Sequence, residues 1–399
     1  MPTDISAISR ALTRPGAVVF AMLFLFDSMA RSLLSGVLPV VGYEMLGSKS
    51  LVSAMFLSAG AGGAVASLFI PWFLSHVKPR WLYTTAAVLL ILANGLFVLG
   101  GATAFAAGLF LRAFAAACLL NLLNLYIMTY IKKKDLARSE PIRTFFSGIA
   151  WSGGPLLGIV LLNHVSPYAT FGLSALCVVF LLVYFWRLRL EYGAADTSAQ
   201  PRLANPLPHI RRFLQQPRLR LAWVLNFTRE TWWVALFIYG PIYTADSMMG
   251  ADAPGYLQSA STSFLFLTPL AGWLARRFGL RLALMSAYSY CAAGTLAAAL
   301  VMMLDGPPLL GCILLVTSGL GAITLDSVGM VTFLRAVRTR ERAEMTMVFT
   351  LYRDLAGLIP FAVFSLLLAI FDELWIVYGI VSLGLLGAAW LSRHIPRGM

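Results

Sequence analysis

Apolar runs recur along the whole chain and are separated by short polar segments. Most of them reach the roughly 20 residues that an α-helix needs to cross the hydrocarbon core of a bilayer. With 59% hydrophobic and 12% charged residues, the chain carries more apolar surface than a soluble domain can bury. The sequence therefore predicts an all-α membrane protein with about twelve transmembrane helices. The predicted spans are residues 16–41, 51–75, 82–101, 104–130, 144–163, 168–187, 219–244, 256–275, 282–303, 308–334, 345–371 and 374–392.

The basic residues give the expected orientation, because cytoplasmic loops of membrane proteins are enriched in Lys and Arg. Of the 30 Lys and Arg residues, four fall inside spans, and among the others only Lys49 lies on the side opposite the termini. The loops on that opposite side carry Glu44, Asp246, Asp252, Asp305, Asp372 and Glu373. We therefore expect a multi-pass protein of the bacterial cytoplasmic (inner) membrane with both termini in the cytoplasm. The net charge of +13 then favours membrane insertion and contact with anionic lipid head groups, and no nucleic-acid partner is predicted.

The largest polar interval divides the chain into two halves. Residues 191–217 are rich in Ala, Ser, Gln and Pro, a composition typical of a linker, and residues 209–214 within it favour a short surface helix. We expect a six-helix bundle in residues 1–190, a cytoplasmic linker in 191–217 and a second six-helix bundle in 218–399. Weak similarities between the halves indicate parallel repeats, since Trp72 and Arg80 correspond to Trp273 and Arg281.

Two opposite charges lie inside the first apolar run. Asp27 and Arg31 are four residues apart, so a helix places them on one face. Each would be costly against lipid, which predicts a protein-lined or wet interior around them. One interpretation is that Asp27 carries a proton or a cationic substrate while Arg31 tunes it or holds an anionic group. The other is a structural ion pair that fixes the packing of the helix.

Six further charges fall inside apolar runs, and they bring the intramembrane total to four Arg and four carboxylates. They are Arg112, Arg229, Glu230, Asp326, Arg353 and Asp354. A neutral sum is what mutually partnered charges would give. Neighbours in sequence diverge by about 100° around a helix, so we expect the partners of Arg229 and Glu230 on other helices. Arg353 and Asp354 are predicted to form charge locks between helices.

One loop of the second half resembles a family signature. Residues 272–281, GWLARRFGLR, are similar to the GxLADRxGRR motif of the major facilitator superfamily of secondary transporters, although Arg276 occupies the usual Asp position. The equivalent first-half segment, PWFLSHVKPR at residues 71–80, is strongly altered. The resemblance extends over essentially the full length and implies a gating role for this loop. The residues concerned are Gly272, Arg276, Arg277, Gly279, Arg281 and Arg80.

Two other elements are similar to patterns of the same superfamily. Arg112 lies where the family often has a fourth-helix Arg tied to proton coupling. The segment AWSGGPLLG, residues 150–158, is similar to the fifth-helix element of antiporters, and its Gly154, Pro155 and Gly158 suit close helix packing. In the family architecture, helices one, four, seven and ten line a central cavity. The resemblance therefore implies a proton-coupling or substrate role for Asp27, Arg31, Arg112, Arg229, Glu230 and Asp326.

Amide and aromatic side chains near these charges could complete the cavity lining, since amides orient solutes and aromatic faces bind flat or cationic groups. The alternative is that they fill the bundle or lie at the membrane interface. The candidates are Asn121, Asn124, Asn226, Trp232, Trp233, Tyr239 and Tyr243. The four Cys lie in apolar runs and the four His near loops, so neither a metal site nor a cofactor is predicted.

These features favour a secondary active transporter that moves a small organic solute by alternating access, with proton-coupled export as the leading hypothesis. Several intramembrane Arg residues favour instead the uptake or release of an organic anion or an amino-acid-like solute. A third possibility is a membrane sensor or assembly factor that does not transport. The chain has no catalytic or ATP-binding motif, so we expect no enzyme and an energy supply from ion gradients. The expected partners are a small-molecule substrate, protons and membrane lipids.

Overall fold

A computed structural model of the protein describes residues 16–131, 133–190, 206–338 and 341–395, and this part of the chain is helical with no β-strand. The first half contains α1 (Ala17–Ser32), α2 (Val37–Leu46), α3 (Lys49–His76), α4 (Pro79–Leu99), α5 (Ala102–Tyr130), α6 (Lys133–His164) and α7 (Pro167–Arg187). The second half contains α8 (Pro206–Leu214), α9 (Pro217–Asp246), α10 (Ala253–Ser263), α11 (Thr268–Phe278), α12 (Leu280–Met303), α13 (Pro308–Ala336), α14 (Arg342–Ala356), α15 (Ile359–Phe371) and α16 (Leu374–Ser392).

Ten of the described helical segments are long and apolar enough to cross a membrane, which makes this a multi-pass membrane protein. The predicted spans 219–244 and 256–275 are helical but are not among the ten. In α9 the central Arg229 and Glu230 lower the mean hydropathy, and α10 and α11 are short helices joined by the 3₁₀ turn Phe264–Leu267. Every predicted span therefore corresponds to a helix or a pair of helices in the described structure.

The first predicted span is interrupted and ends later than expected. Helix α1 ends at Ser32, α2 begins at Val37, and α2 continues to Leu46, five residues beyond the predicted boundary at residue 41. The interruption faces α6, where a Cβ atom at Gly158 would lie 1.8 Å from the carbonyl oxygen of Leu33. Ser32 donates a hydrogen bond of 2.9 Å to the carbonyl oxygen of Ala150. Small residues on α6 thus let two backbones approach, as in other membrane bundles.

The two halves are in contact along several helices, and α2 packs on α9. Two further contacts bring backbones close together, since α3 packs on α14 and α15, and α6 packs on α10. Glycine allows both approaches, since a Cβ atom at Gly60 would lie 1.9 Å from the carbonyl oxygen of Gly357, and one at Gly255 would lie 2.9 Å from the Cα of Leu156. The halves are therefore in backbone contact at these two places.

The core is continuous across the halves at one end of the molecule and divided at the other. We call the end that carries Asp246, Asp252 and Asp372 the acidic end, and the end at the α3–α4 and α11–α12 loops the basic end. One apolar cluster includes residues of both halves, such as Val37 and Tyr239, whereas the clusters nearest the basic end each belong to one half. The halves thus share an apolar core toward the acidic end, whereas their apolar clusters toward the basic end are separate, and we call the region between those two clusters the cleft.

The predicted linker is described only in part, because residues 191–205 lie outside the described residues. The surface helix expected at 209–214 is present as part of α8. Helix α8 packs on α9 and α14, where Phe213 is buried, and Arg212 forms an ion pair with Glu341. The end of the linker is therefore docked on the second bundle.

Candidate functional site

The intramembrane charges form one layer near the middle of the bundle. Helices α1 and α9 run in the same direction, and Tyr43 at the end of the α1–α2 segment contacts Asp246 at the end of α9. Asp27 and Glu230 precede this contact by the same number of residues, so they lie at similar depth. The contact of Arg229 with Tyr352 brings α14 to the same level. We call this set of charges the charged layer.

In the first half, the layer consists of Asp27, Arg31 and Arg112, which we call the N-terminal cluster. Arg31 Nη2 lies 2.7 Å from Asp27 Oδ2, which is the i,i+4 ion pair expected from the sequence. Arg112 Nη2 donates a hydrogen bond of 2.9 Å to the backbone carbonyl of Arg31. The side chain of Asp27 is 2% exposed and that of Arg31 is 19% exposed, so the pair lies at the wall of the cleft.

The N-terminal cluster leaves hydrogen-bonding capacity unused. Asp27 Oδ1, Arg31 Nε and Arg112 Nε are buried and have no hydrogen-bond partner. Within the described part of the chain, no carboxylate lies within 4 Å of Arg112, which makes two cations and one anion in this cluster. Buried polar groups are normally satisfied, so each such atom calls for an explanation.

The second half builds its part of the layer around one arginine. Arg229 Nε lies 3.1 Å from Asp326 Oδ1, and Arg229 Nη2 lies 3.1 Å from Glu230 Oε2. The same Nη2 donates to the hydroxyl of Tyr352 at 3.2 Å, and Trp233 Nε1 donates to Asp326 Oδ2 at 2.9 Å. We call these five residues the C-terminal cluster. Arg229 is buried, whereas the side chains of Glu230 and Asp326 are 24% and 28% exposed.

The ion pair within α9 corrects one sequence expectation. Arg229 and Glu230 were expected to diverge around the helix and to find partners only elsewhere. Both side chains are long enough to bend toward each other, and their contact supplements the expected partner on another helix, Asp326. Backbone directions alone therefore do not exclude an ion pair between neighbours.

The predicted charge locks on α14 have different surroundings from each other. Asp354 accepts a hydrogen bond of 3.3 Å from Ser67 of α3, which links the two halves. Arg353 is exposed, and among the described residues no carboxylate lies within 4 Å of it. Its guanidinium lies 6.0 Å from the ring of Tyr352. Of the two, Asp354 is the one with a described hydrogen bond to another helix.

The candidate cavity-lining residues divide into two groups. Asn121 is exposed on α5, Asn124 accepts a hydrogen bond from Arg143 at 3.0 Å, and Trp233 reaches Asp326. The others are placed within helix packing. Asn226 bonds to backbone carbonyls, Trp232 to Thr295, Tyr239 to Ser53, and Tyr243 contacts the carbonyl of Pro308.

The predicted gating loop lies at the basic end. Gly279 ends α11 with a φ of +90°, a conformation that favours glycine. Arg276 and Arg277 are exposed, and the Arg277 guanidinium lies 5.3 Å from the ring of Trp273. The remaining loop residues of this prediction are half-buried. They are Gly272, Arg281 and Arg80, the last of which lies 3.9 Å from the ring of Trp186.

The fifth-helix element packs against the interruption between α1 and α2. A Cβ atom at Gly154 would lie 2.0 Å from Ser32 Oγ, and the corresponding distance from Gly158 to the Leu33 carbonyl is shorter still. Pro155 is buried in the same helix. The described structure thus gives these residues no free space for larger side chains.

Sequence reasoning missed the contacts that close the acidic end. Lys49 Nζ lies 2.8 Å from Asp246 Oδ2 and 3.0 Å from the carbonyl oxygen of Asp372, and Tyr43 donates to Asp246 Oδ1 at 2.7 Å. We call these four residues the acidic-end latch. A signal was present, because Lys49 is the one basic residue outside the spans on that side of the sequence. A second contact joins His164 to Asp252 at 2.9 Å, and hydrogen bonds from Asn163 and His164 lower the pKa of Asp252.

Comparisons with known proteins give one family and a set of similar folds. Residues 20–361 match the family model described as Major Facilitator Superfamily. A crystal structure of the nucleoside transporter NupG is 15% identical, with 94% of this chain and 98% of that chain covered and a TM-score of 0.71. A D-xylose-proton symporter is 14% identical, with coverage of 96% and 97% and a TM-score of 0.71. A POT family transporter in complex with 5-aminolevulinic acid is 11% identical, with coverage of 94% and 95% and a TM-score of 0.75. No curated protein matches.

Proposed function

Because the chain belongs to the Major Facilitator Superfamily, we propose that it is a secondary active transporter that exports a small organic solute in exchange for protons. The observation that carries this proposal is the charged layer, which lies at mid-depth where the cleft from the basic end meets the closed acidic end. Intramembrane charges at such a place mark solute and proton pathways. One of the proteins of similar fold is a D-xylose-proton symporter, which supports proton coupling in this proposal.

The way in which the halves meet supports alternating access. The acidic-end latch and the α6–α10 contact close one end, while the basic-end clusters belong to separate halves. Under the positive-inside rule, the basic end faces the cytoplasm of a bacterial inner membrane. In this proposal the described arrangement is the one that takes up solute from the cytoplasm, and rocking of the halves exposes the same layer to the outside.

Asp27 is the group that we propose carries the proton. As a carboxylate it holds Arg31, and protonation cancels that attraction and frees the guanidinium. Its second oxygen has no partner, so the site can accept a proton or a further donor without first breaking another contact. Protonation and solute binding would thereby favour different orientations of the halves.

Export is favoured by the fifth-helix element. Its resemblance to the antiporter pattern includes Gly154, Pro155 and Gly158, which pack directly behind the α1 segment that ends near Arg31. A movement of α6 is therefore transmitted to the backbone next to the N-terminal cluster. This contact supports a role of the element in the transport cycle.

The experiment is proton movement in liposomes that contain the purified protein and a pH-sensitive dye in the lumen. A panel of amphipathic cations, amino acids and organic acids is added outside, to wild type, Asp27→Asn and the control Glu44→Gln, whose side chain is exposed at the acidic end. An antiporter raises the luminal pH when its solute enters, whereas a symporter lowers it. We expect a rise with wild type and Glu44→Gln and none with Asp27→Asn.

Every result other than this one contradicts a stated part of the proposal. A fall in luminal pH would replace export by uptake together with protons. An equal signal in Asp27→Asn would remove Asp27 as the proton carrier. No signal from any solute, combined with full physiological function of Asp27→Asn in cells, would favour the non-transporting sensor or assembly factor.

A further inference from the structure

We propose that the transported solute is an organic carboxylate with a flat apolar body, and that its carboxylate binds Arg112. This inference rests on the transport function proposed above, and it begins from charge. Asp27 pairs with Arg31, and no carboxylate of the described chain lies within 4 Å of Arg112. A cation in the middle of a membrane protein requires a counter-charge, because isolated charges there are costly. A bound anion supplies it.

The position of Arg112 allows such an anion to reach it. Its side chain is half-buried at the cleft, one Nη2 hydrogen bond goes to the Arg31 carbonyl, and Nε is buried without an acceptor. Guanidinium groups bind carboxylates through two parallel hydrogen bonds. Arg31 Nε also lacks an acceptor, so the same wall offers two donors that the protein does not use.

The eighth charge of the membrane region does not neutralise Arg112. Asp354 makes the total of Arg and carboxylates equal, but it lies on α14 and accepts a hydrogen bond from Ser67 at the contact between the halves. Arg353 on the same helix is exposed and has no carboxylate within 4 Å among the described residues. Asp354 therefore does not supply the anion that the N-terminal cluster lacks.

The path from the basic end to Arg112 also favours anions. Arg143 of α6 lies closer to that end, since its guanidinium is 4.9 Å from the ring of Phe24 and 3.0 Å from the oxygen of Asn124, which follows Arg112 on α5 toward the basic end. A solute that enters the cleft thus passes Arg143 before it reaches Arg112. Charges of one sign along a cleft raise the local concentration of the opposite ion.

The apolar body is inferred from an aromatic stack above the layer. The rings of Trp151 and Phe237 lie 5.2 Å apart and join the two halves, and Phe237 stacks on Trp233 at 5.5 Å with an angle of 20°. Trp151 and Phe237 are half-buried, so part of their faces remains accessible. Flat aromatic rings stack on such faces with a preference over saturated rings of the same size.

The test uses three probes with the same ring and different charge: 2-naphthoate, 2-naphthylmethanol and 2-naphthylmethylammonium. Binding to purified protein in detergent is measured by equilibrium dialysis. We expect 2-naphthoate to bind wild type at least about tenfold more tightly than either other probe, which is the range of a charge-assisted hydrogen bond. Tighter binding of the ammonium compound, or equal binding of all three, overturns the proposal without any variant.

Variants then locate the site. Arg112→Gln should weaken 2-naphthoate binding at least about tenfold, Arg112→Lys should retain part of it, and Arg335→Gln, at an exposed basic-end arginine, should leave it unchanged. Trp151→Leu should reduce the preference for 2-naphthoate over decahydro-2-naphthoate. Undiminished binding of 2-naphthoate to folded Arg112→Gln overturns the assignment of Arg112.

Failure of this inference can be distinguished from failure of the transport function. If an amphipathic cation moves protons in the liposome experiment while 2-naphthoate does not bind, the transporter stands and the carboxylate class is wrong. If 2-naphthoate binds through Arg112 and no solute moves protons, the ligand class stands and proton-coupled transport is wrong.

Discussion

The two clusters of the charged layer differ in how they neutralise their buried charges. In the C-terminal cluster Arg229 has Asp326, Glu230 and Tyr352 as partners, and Trp233 holds the second oxygen of Asp326. In the N-terminal cluster Asp27 and Arg31 share one contact, and Arg112 bonds only to a backbone carbonyl.

This difference indicates a difference in role. A buried network with several partners per charge fixes one arrangement, because every change of partner leaves another group unpaired. A pair with free hydrogen-bonding capacity can exchange partners at lower cost. Within the transport function proposed above, we therefore propose that the N-terminal cluster exchanges protons and solute, and that the C-terminal cluster holds α9, α13 and α14 together.

The largest expected effect is on stability and comes from the centre of the C-terminal network. Arg229→Met leaves Glu230 and Asp326 without their cation, and removal of one partner from a buried ion pair costs about 3–5 kcal/mol. The melting temperature can be followed in detergent with a thiol-reactive dye, because Cys118 and Cys291 are buried and react only on unfolding. Arg335→Met is the control. A wild-type melting curve for Arg229→Met would contradict the structural role of this cluster.

A double-mutant cycle in each cluster tests whether the N-terminal cluster behaves as an isolated ion pair and the C-terminal cluster as a network of several partners. Arg31→Ala should be largely rescued by adding Asp27→Asn, with a coupling energy of about 1–3 kcal/mol, because each is the other's only ionic partner in the described structure. Arg229→Ala should be rescued much less by Asp326→Asn, since Glu230 then remains unpaired. Unfolding in detergent gives all the required values. Equal rescue in both clusters would remove the distinction between them.

A third prediction concerns the backbone next to the N-terminal cluster. Gly158→Ala forces its Cβ atom against the Leu33 carbonyl, and overpacking of this kind costs about 1–3 kcal/mol. Gly153→Ala is the matched control, because no atom of another element lies within 4 Å of its Cβ position. Melting temperatures and proton movement should both fall in Gly158→Ala alone. If the two variants behave alike, the interruption after Ser32 does not depend on this approach.

The smallest effect is expected at the acidic-end latch, which joins the halves. Lys49→Met removes the contacts to Asp246 and Asp372 and should favour opening of this end by about 1 kcal/mol, because solvent reaches the pair at Asp246, whose side chain is 38% exposed, and weakens the attraction. Spin labels at Val165 and Leu304, both exposed at the acidic end, report the distance between the halves.

Glu44→Gln serves as the control in this measurement, since its side chain is exposed at the same end and the substitution also removes one charge there, of opposite sign, without touching the latch. A longer distance should be several times more populated in Lys49→Met than in the control. An unchanged distribution would mean that the helix contacts, and not the latch, keep the acidic end closed.

Much of the helical architecture could be predicted from hydropathy, whereas the interruptions could not. Apolar runs indicate where helices lie, but the turn after Ser32, the 3₁₀ turn Phe264–Leu267 and the turn at Gly357 are as apolar as their neighbours. These interruptions occur where backbones of different helices approach, which is a property of the packed structure.

The sequence predicts those contacts of the site that join residues close together along the chain. The Asp27–Arg31 pair follows from a spacing of four residues, whereas the pairing of Arg229 with Asp326 joins residues far apart in sequence, which spacing does not reveal. Likewise, the equal numbers of Arg and carboxylates did not reveal that the first half holds two cations and one anion. That imbalance depends on which helices are neighbours.

The Gly60–Gly357 contact has a mechanical consequence. Because the two backbones touch there, this point acts as a fulcrum when one half tilts against the other. With a rise of about 1.5 Å per residue, it lies about 17 Å from the start of α3 and about 24 Å from its end. A tilt of about 10° therefore moves the acidic end by about 3 Å and the basic end by about 4 Å. The basic end is farther from the fulcrum. A tilt that opens a small gap at the acidic-end latch therefore moves the halves together by a larger distance at the basic end.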